Sequence, residues 1–309
     1  MENKLKKPAV MWFTAAVCCL LWGSAFPAII LGYGFLKIEN TDTPSIILFA
    51  GIRFFLAGLI TIIIFSLIKK KPLVPTKSAF GKIAVLSLFQ TVLQYIFFYL
   101  GLAYTSGERG SIINGASVFF AIFISAFIFK SEKLKANKII GSIIGFAGVI
   151  LVSLDAFRSG GGFKGEMLIL LSSISYAFSS NFIKEYSKTE EPTMLSGWQF
   201  MLGGAVMAVS GLIFGGRLNE VNTKGIFIIL YLALVSAVAY SLWSILLKYN
   251  EVSRVAVCSF MIPVFGCILS MLFARGEGLG LVAVITALVL VAAGIITVNY
   301  SSKNEKSNI

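Results

Sequence analysis

Ten apolar segments, each close to twenty residues long, follow one another through almost the whole chain. A helix needs about 20 apolar residues to cross a bilayer core. It also satisfies its own backbone hydrogen bonds there, as hydrocarbon requires. The segments are 10–36, 45–68, 81–104, 110–129, 138–156, 165–184, 193–215, 225–248, 253–274 and 279–300. The sequence therefore predicts an all-α integral membrane protein with ten transmembrane helices.

The composition excludes several other classes of protein. Apolar residues make up 57% of the 309 residues and charged residues only 13%, too few for the surface of a soluble domain. The net charge of +12 comes from short basic runs between apolar segments, which argues against nucleic acid as a partner. The chain lacks histidine, and its four cysteines lie inside apolar segments, so we predict no metal site, cofactor or disulfide framework.

The basic residues predict how the chain lies in the membrane. Of the 26 Lys and Arg residues, 18 fall on the side of the N-terminus, seven on the opposite side and one, Arg53, inside the second helix. Cytoplasmic loops carry the excess of Lys and Arg. We therefore expect a multi-pass protein of the cell (cytoplasmic) membrane with both termini in the cytoplasm. The first apolar segment is expected to be a retained span rather than a cleaved signal.

The two halves of the sequence resemble each other. Residues 104–134 align without gaps on 249–279, an offset of 145. Each half holds five helices, an odd number, so the second half must be inverted in the bilayer. We predict a first repeat at 1–158, a Gly-rich linker at 159–164, a second repeat at 165–302 and a cytoplasmic tail at 303–309. Inverted repeats are typical of alternating-access transporters with a midplane substrate site, although duplication can also simply build a stable bundle.

Short motifs in both halves resemble the EamA-type branch of the drug/metabolite transporter superfamily. They are LLWGSAF at 20–26, IRFFLA at 52–57, FKSEKL at 129–134, GVIL at 148–151, IPVF at 262–265 and GEGL at 276–279. The resemblance implies ten helices with pseudo-twofold symmetry in the membrane plane. It also implies a central cavity lined by helices 1, 3, 4, 6, 8 and 9, with helices 5 and 10 as scaffold, and export of amino acids, related metabolites or toxic small molecules.

Two residues are candidates for gating or charge selection. Arg53 is the one charged residue clearly inside a predicted span, where a guanidinium is costly. It can bind an anionic substrate group as a planar fork, or tie helix 2 to neighbouring backbone carbonyls. Pro263 interrupts helix 9, whereas the matching residue of helix 4 is Val118, so the two halves are expected to bend unequally.

Polar and aromatic side chains concentrate on the predicted cavity helices. Neutral groups of this kind often only join helices, but helices 5 and 10 are nearly without them. We therefore predict a wet, neutral, aromatic-lined cavity. The candidate cavity residues are Trp22, Ser24, Gln90, Gln94, Tyr95, Asn114, Tyr176, Asn181, Tyr240 and Trp243.

These features predict a secondary transporter that exports amino acids or related small metabolites by alternating access. The alternative is a carrier or flippase for a phosphorylated or lipid-linked substrate. An integral membrane enzyme is a distant alternative, since no catalytic residues, paired carboxylates or metal-spaced cysteines are visible. The expected partners are the lipid bilayer and a small-molecule substrate, with the chain acting as a monomer or homodimer. Without a midplane carboxylate, we predict facilitated diffusion, exchange or coupling through the substrate's own charge rather than a proton relay.

Acidic residues cluster near the predicted helix ends. Glu132 and Glu277 follow helices 4 and 9 at equivalent positions of the two halves. They can cap or pair with nearby helix ends, or shape gates, at opposite membrane surfaces.

Overall fold

The computed structural model describes residues 7–105, 113–152, 163–273 and 281–300, and these residues form ten helices with no strand among them. The helices are α1 (Pro8–Leu36), α2 (Thr43–Lys69), α3 (Ala79–Tyr104), α4 (Ile113–Ile128), α5 (Ala136–Val152), α6 (Phe163–Tyr186), α7 (Pro192–Ile213), α8 (Thr223–Tyr249), α9 (252–273) and α10 (Leu281–Tyr300). The predicted all-α fold is confirmed. The predicted bounds agree within about two residues, except where the start of helix 4, the ends of helices 5 and 9 and the start of helix 10 fall outside the described residues.

Length and hydropathy favour a membrane location. The six helices α1, α2, α3, α6, α7 and α8 are each long and apolar enough to cross a bilayer, and shorter apolar helical stretches cover 113–128, 252–266 and 285–299. Three helices depart from regular α geometry. A π-helical segment interrupts α3 at Ser87–Leu93, another ends α4 at Ile124–Ile128, and a 3₁₀ turn at Val257–Phe260 lies in α9. The departures in α4 and α9 do not lie at equivalent positions.

The packing of the helices follows the predicted internal symmetry. The most extensive contact joins α2 to α7, and the next joins α5 to α10. The pairs α1–α8 and α1–α9 are matched by α6–α3 and α6–α4, which are the same pairs with the two halves exchanged. Every large contact thus joins one half to the other, and the halves form a single interlocked bundle.

Glycines allow α2 and α7 to approach closely. A Cβ atom placed on Gly51 would lie 2.2 Å from the backbone nitrogen of Ala208, and one on Gly58 would lie 2.5 Å from the carbonyl oxygen of Gly197. A Cβ on Gly204 would lie 2.8 Å from the carbonyl oxygen of Gly51. Gly51 and Gly58 precede Gly197 and Gly204 by the same interval. Since the two glycine pairs exchange under the symmetry, they fix the register of α2 against α7.

The two ends of the bundle differ in charge. At one end α1, α3, α5, α7 and α9 begin, and it carries Lys69, Lys82, Lys138, Lys184 and Lys248. We call it the lysine-rich end and the other the far end. A surface ion pair, Lys69 to Glu191 at 2.5 Å, and the pair Lys82 to Glu190 at 2.9 Å join α2 and α3 of the first half to the α6–α7 loop of the second half there.

Candidate functional site: a cavity between the two halves

A cavity lies between the two halves. Its empty volume is about 620 Å³, including the open space at its mouth. Its lining comes from α1, α2, α3, α4, α6, α8 and α9. The lining residues are Trp22, Ala25, Phe26, Ile29, Arg53, Gln94, Tyr95, Phe98, Asn114, Ser117, Tyr176, Tyr240, Ser259 and Ile262. Both halves therefore build one site, and α5 and α10 contribute none of these residues.

Among the described lining residues, the nearest approach to an end of the bundle is at the far end. Asn114 and Ser117 lie in the first two turns of α4, which begins at that end. Toward the lysine-rich end, every lining residue is at least about seven residues, or roughly 10 Å of helical rise, from the end of its helix. Packed side chains fill this interval.

Aromatic rings form much of the wall. The Trp22 ring meets Tyr240 and Trp243 edge to face, each at a centroid distance of 4.9 Å. Phe26 and Phe98 meet in the same way at 5.7 Å on the side nearer the far end. Aromatic edges and faces offer a large apolar contact area together with a quadrupole that attracts cations.

The hydroxyl of Tyr240 joins the two halves inside the cavity. It accepts a hydrogen bond from Gln94 Nε2 at 3.2 Å and shares a second, short hydrogen bond with the Tyr95 hydroxyl. Gln94 and Tyr95 belong to α3, and Tyr240 belongs to α8. When one half moves against the other, α3 and α8 must therefore either move together or break this contact.

Three lining residues hold buried polar atoms that have no hydrogen-bond partner among the described residues. They are Trp22 Nε1, Gln94 Oε1 and the Tyr176 hydroxyl. An unsatisfied buried polar group costs about 1–3 kcal/mol. Such groups in a cavity are expected to bind water or a ligand.

Arg53 is almost fully buried, and its guanidinium contacts neutral groups from both halves. Its Nε donates to the Leu232 carbonyl at 3.3 Å, Nη1 to the Tyr99 hydroxyl at 2.5 Å and Nη2 to the Ser236 hydroxyl at 2.9 Å. The guanidinium carbon also lies 4.7 Å from the centre of the Phe54 ring. Arg53 thus binds α2 to α3 and α8 while one edge faces the cavity.

The structure brings most of the predicted cavity residues together. Trp22, Gln94, Tyr95, Asn114, Tyr176 and Tyr240 line the cavity along with Arg53. Ser24, Gln90, Asn181, Trp243 and Pro263 do not belong to the lining. Ser24 points away, where its hydroxyl lies 2.6 Å from that of the half-exposed Tyr231, and Trp243 packs behind Trp22.

Pro263 lies one residue beyond the lining residue Ile262 in α9. Because proline has no N–H, the carbonyl of Ser259 lacks its usual helical partner. The 3₁₀ turn at Val257–Phe260 ends three residues before Pro263. The departure from α geometry is therefore concentrated where α9 borders the cavity.

Some lining residues were absent from the sequence-based set. Phe26 and Ile29 continue the face of Trp22 at helical spacing, and Phe98 lies four residues after Gln94. Apolar side chains alone give little indication of function in a membrane helix. Their helical spacing from the polar candidates, however, predicts which of them share the same face.

A buried carboxylate lies at the lysine-rich end of the bundle. Glu132, in the loop after α4, pairs with Lys138 Nζ at 2.7 Å, and both side chains are nearly inaccessible. Burial acts to raise the pKa of Glu132, but the charge of Lys138 and hydrogen bonds from Lys138 and Ser253 outweigh it, so the pKa is lowered. Glu277, its equivalent in the second half, lies outside the described residues.

Two inverted halves that share one cavity in a helical membrane bundle define a secondary transporter. A family model described as the EamA-like transporter family matches residues 9–154 and 163–300. These two ranges span nearly the whole chain, and the chain belongs to that family.

Several relatives match most of this chain, and a solved structure shares its fold. A probable amino-acid metabolite efflux pump of Escherichia coli is 27% identical over 82% of this chain and 83% of its own length. The uncharacterized transporter YvbV of Bacillus subtilis is 26% identical over 94% of this chain and 92% of its length. A chloroplastic WAT1-related protein of Arabidopsis thaliana is 27% identical over 83% of this chain, which spans 63% of that longer protein. A crystal structure at 16% identity shares the fold, with a TM-score of 0.74 over 94% of this chain and 97% of its own.

Proposed function

We propose that this transporter exports amino acids or related small metabolites across the cell membrane by alternating access. The observation that carries the proposal is the aromatic-walled cavity, in which three buried polar atoms, on Trp22, Gln94 and Tyr176, have no hydrogen-bond partner in the described part of the chain. A ligand with a small polar group and an apolar or aromatic side chain satisfies both kinds of surface. Two relatives named as probable amino-acid metabolite efflux pumps support this substrate class.

Arg53 is the proposed binding partner of a substrate carboxylate. A guanidinium has five N–H donors, and three atoms of Arg53 already donate to groups of the protein. The positive charge has no carboxylate against it among the described residues. One carboxylate at the cavity edge of Arg53 compensates that charge without breaking the existing contacts.

The same contacts argue against a phosphorylated or lipid-linked substrate as the first choice. Phosphate binding sites usually present several cations or free bidentate arginines. Among the described lining residues there is one arginine, and much of its fork is occupied by Tyr99, Ser236 and Leu232. The transport assay below therefore compares phosphorylated compounds with amino acids.

The proposed orientation puts the lysine-rich end in the cytoplasm, so the cavity lining reaches nearest to the opposite side of the membrane at Asn114. None of the lining residues is Asp, Glu or His. Among the described lining residues, a proton relay of the usual kind thus has no carrier. Exchange or facilitated diffusion is the transport mode that we propose.

Counterflow into proteoliposomes tests the proposal. Vesicles are loaded in turn with single amino acids, polyamines or phosphorylated metabolites, and uptake of the same labelled compound is followed. We expect transient accumulation for at least one amino acid or closely related compound and none for phosphate esters. Accumulation of phosphate esters alone would overturn the proposed substrate class.

Paired tryptophan variants make the test specific to the cavity. Trp22→Phe removes the indole N–H that faces the cavity, whereas Trp12→Phe removes an equally unpartnered indole N–H on the same helix away from it. We expect the first variant to slow counterflow at least tenfold and the second to change it less than twofold. Equal effects would show that the cavity does not bind the substrate. An imposed pH gradient is expected to drive no net accumulation.

A further inference from the structure

The Glu132 side chain reaches from the first half to the start of a helix in the second half. Its Oε1 accepts hydrogen bonds from the backbone N–H groups of Val252, at 2.5 Å, and of Ser253, at 3.4 Å. Its Oε2 accepts from the Ser253 hydroxyl at 2.5 Å. These are the first residues of α9, where free N–H groups and the helix dipole favour a negative charge.

Further charges surround this contact. Lys138 at the start of α5 lies 2.7 Å from Glu132 and 3.3 Å from Glu251. Arg254 lies 3.6 Å from Glu251. Lys184 at the end of α6 donates to the Asn250 carbonyl. We call Glu132, Lys138, Val252 and Ser253 the clasp, because together they hold the α4–α5 loop against the start of α9.

The clasp joins the loop after α4 to the start of α9, and both α4 and α9 line the cavity. Asn114 and Ser117 represent α4 in the lining, and Ser259 and Ile262 represent α9. The two helices belong to opposite halves and are held together at the lysine-rich end. That end therefore cannot open between them while Glu132 stays bonded to α9.

Unpartnered polar atoms continue from the cavity toward the clasp. The Tyr176 hydroxyl of the lining faces Ser180 and Trp243, yet the polar atoms of all three lack a hydrogen bond of normal geometry among the described residues. Asn181 Oδ1 is a fourth such atom. Ser180, Asn181 and Trp243 are almost completely buried and lie three to five residues closer to the lysine-rich end than Tyr176 and Tyr240. Groups of this kind are satisfied when water enters.

We propose that Glu132 holds the gate at the lysine-rich end closed, and that its release from α9 opens a passage along Ser180, Asn181 and Trp243. The proposal rests on the alternating-access function above. It assigns Glu132 a positioning role, since its carboxylate contacts the gate helix and not the substrate. The passage takes water and the neutral polar groups of a substrate.

The second half carries a weaker version of this device in its sequence. Glu277 is the equivalent of Glu132, but Lys138 aligns with Ala283, or with Val284 one residue later in register. The lysine that accompanies the first glutamate thus has no basic counterpart. The difference favours a resting state that is closed at the lysine-rich end.

Cysteine accessibility measures the gate directly. Ser180→Cys is introduced into the full chain after its four native cysteines are replaced by alanine, and a membrane-impermeant maleimide is applied from the lysine-rich side. We expect Glu132→Gln to raise the labelling rate at least tenfold. The matched control is Glu185→Gln, which removes one carboxylate from an exposed ion pair with Lys188 at the same end, and it should change the rate less than twofold.

A second reporter separates gate opening from unfolding. Asn114→Cys reports the cavity from the far side, and its labelling should fall when Glu132→Gln shifts the protein toward the other state. A rise in labelling at both reporters would indicate loss of structure and overturn the assignment, as would unchanged labelling at Ser180→Cys. The measurement needs no substrate. Its result is therefore independent of the counterflow assay. A negative counterflow result with the unmodified chain would refute the proposed function but not the gate.

Discussion

Arg53 in α2 and Gln199 in α7 occupy equivalent positions of the two halves, and each forms a hydrogen bond with the other half. Arg53 donates to Ser236 of α8 at 2.9 Å, and Gln199 accepts from Thr91 of α3 at 2.5 Å. Arg53 and Gln199 are related by the interval of the glycine pairs in α2 and α7, and Thr91 and Ser236 by the interval of 145. The buried arginine is therefore a charged version of a contact that the fold makes twice.

The charge makes this contact unequal in the two halves. Arg53 adds bonds to Tyr99 and the Leu232 carbonyl, whereas Gln199 leaves its Nε2 without a partner among the described residues. Charge-assisted hydrogen bonds are roughly twice as strong as neutral ones. We infer that α2 is held to α3 and α8 more firmly than α7 is held to α3.

Arg53→Lys tests whether the fork of Arg53 matters or only its charge. A lysine cannot reach Tyr99, Ser236 and Leu232 together, so buried groups lose partners. We expect the unfolding free energy to fall by about 2–4 kcal/mol and the Tm in detergent by roughly 5–10 °C. Arg217→Lys, at an exposed arginine, should stay within about 1 °C. Similar Tm values for both variants would contradict the structural role.

Tyr240→Phe tests the hydrogen bonds that cross the cavity. The change leaves the Gln94 amide and the Tyr95 hydroxyl without their shared partner. We expect transport at low substrate concentration to fall at least tenfold, about 1.4 kcal/mol or more, with a melting temperature close to that of the unmodified chain.

Tyr231→Phe is the control for that experiment. Tyr231 lies on the same helix, and its hydroxyl contacts Ser24 on the half-exposed outer side. Transport should remain within twofold, because the lost hydroxyl does not face the cavity. A comparable loss in both variants would indicate that α8 responds to any removed hydroxyl.

Gly51→Ala tests the close approach of α2 and α7. The new methyl group would meet backbone atoms of Ala208 at 2.2 and 2.7 Å, and the two helices must separate to admit it. We expect a loss of about 3 kcal/mol in unfolding free energy. Gly81→Ala in α3 meets nothing within 4 Å, and it should be neutral or stabilise by roughly 0.5–1 kcal/mol. Thermal unfolding of both variants decides the matter.

The pH dependence of the clasp follows from the lowered pKa of Glu132. A carboxyl whose pKa is lowered in the folded state contributes stability above its unfolded pKa, near 4.5, and loses it as the pH falls through the folded value. The Tm difference between the unmodified chain and Glu132→Gln should therefore be constant from pH 8 to 6 and shrink below about pH 4.5. A difference that shrank between pH 8 and 6 would identify Glu132 as a proton-coupled switch.

Much of the fold could be predicted because a bilayer imposes length and hydropathy on each helix. The helix bounds and the pairing of the halves follow from segment length and from the repeat offset. The π segments of α3 and α4 could not be predicted, since they depend on how neighbouring helices pack. The sequence also could not predict which of Gln90 and Gln94 lines the cavity. The two are one turn apart and equally polar, but only Gln94 lines the cavity.

The sequence by itself determined the class of this protein. Ten apolar segments, an odd number in each half and a basic bias on one side leave an inverted membrane bundle as the physical solution, because hydrocarbon admits few other arrangements of backbone. Tertiary structure alone decided which polar side chains meet. The partners of Arg53 lie 46 to 183 residues away along the chain, and Glu132 meets α9 across 120 residues. Such contacts depend on the rotation of each helix about its axis, which close glycine packing sets and which no local pattern encodes.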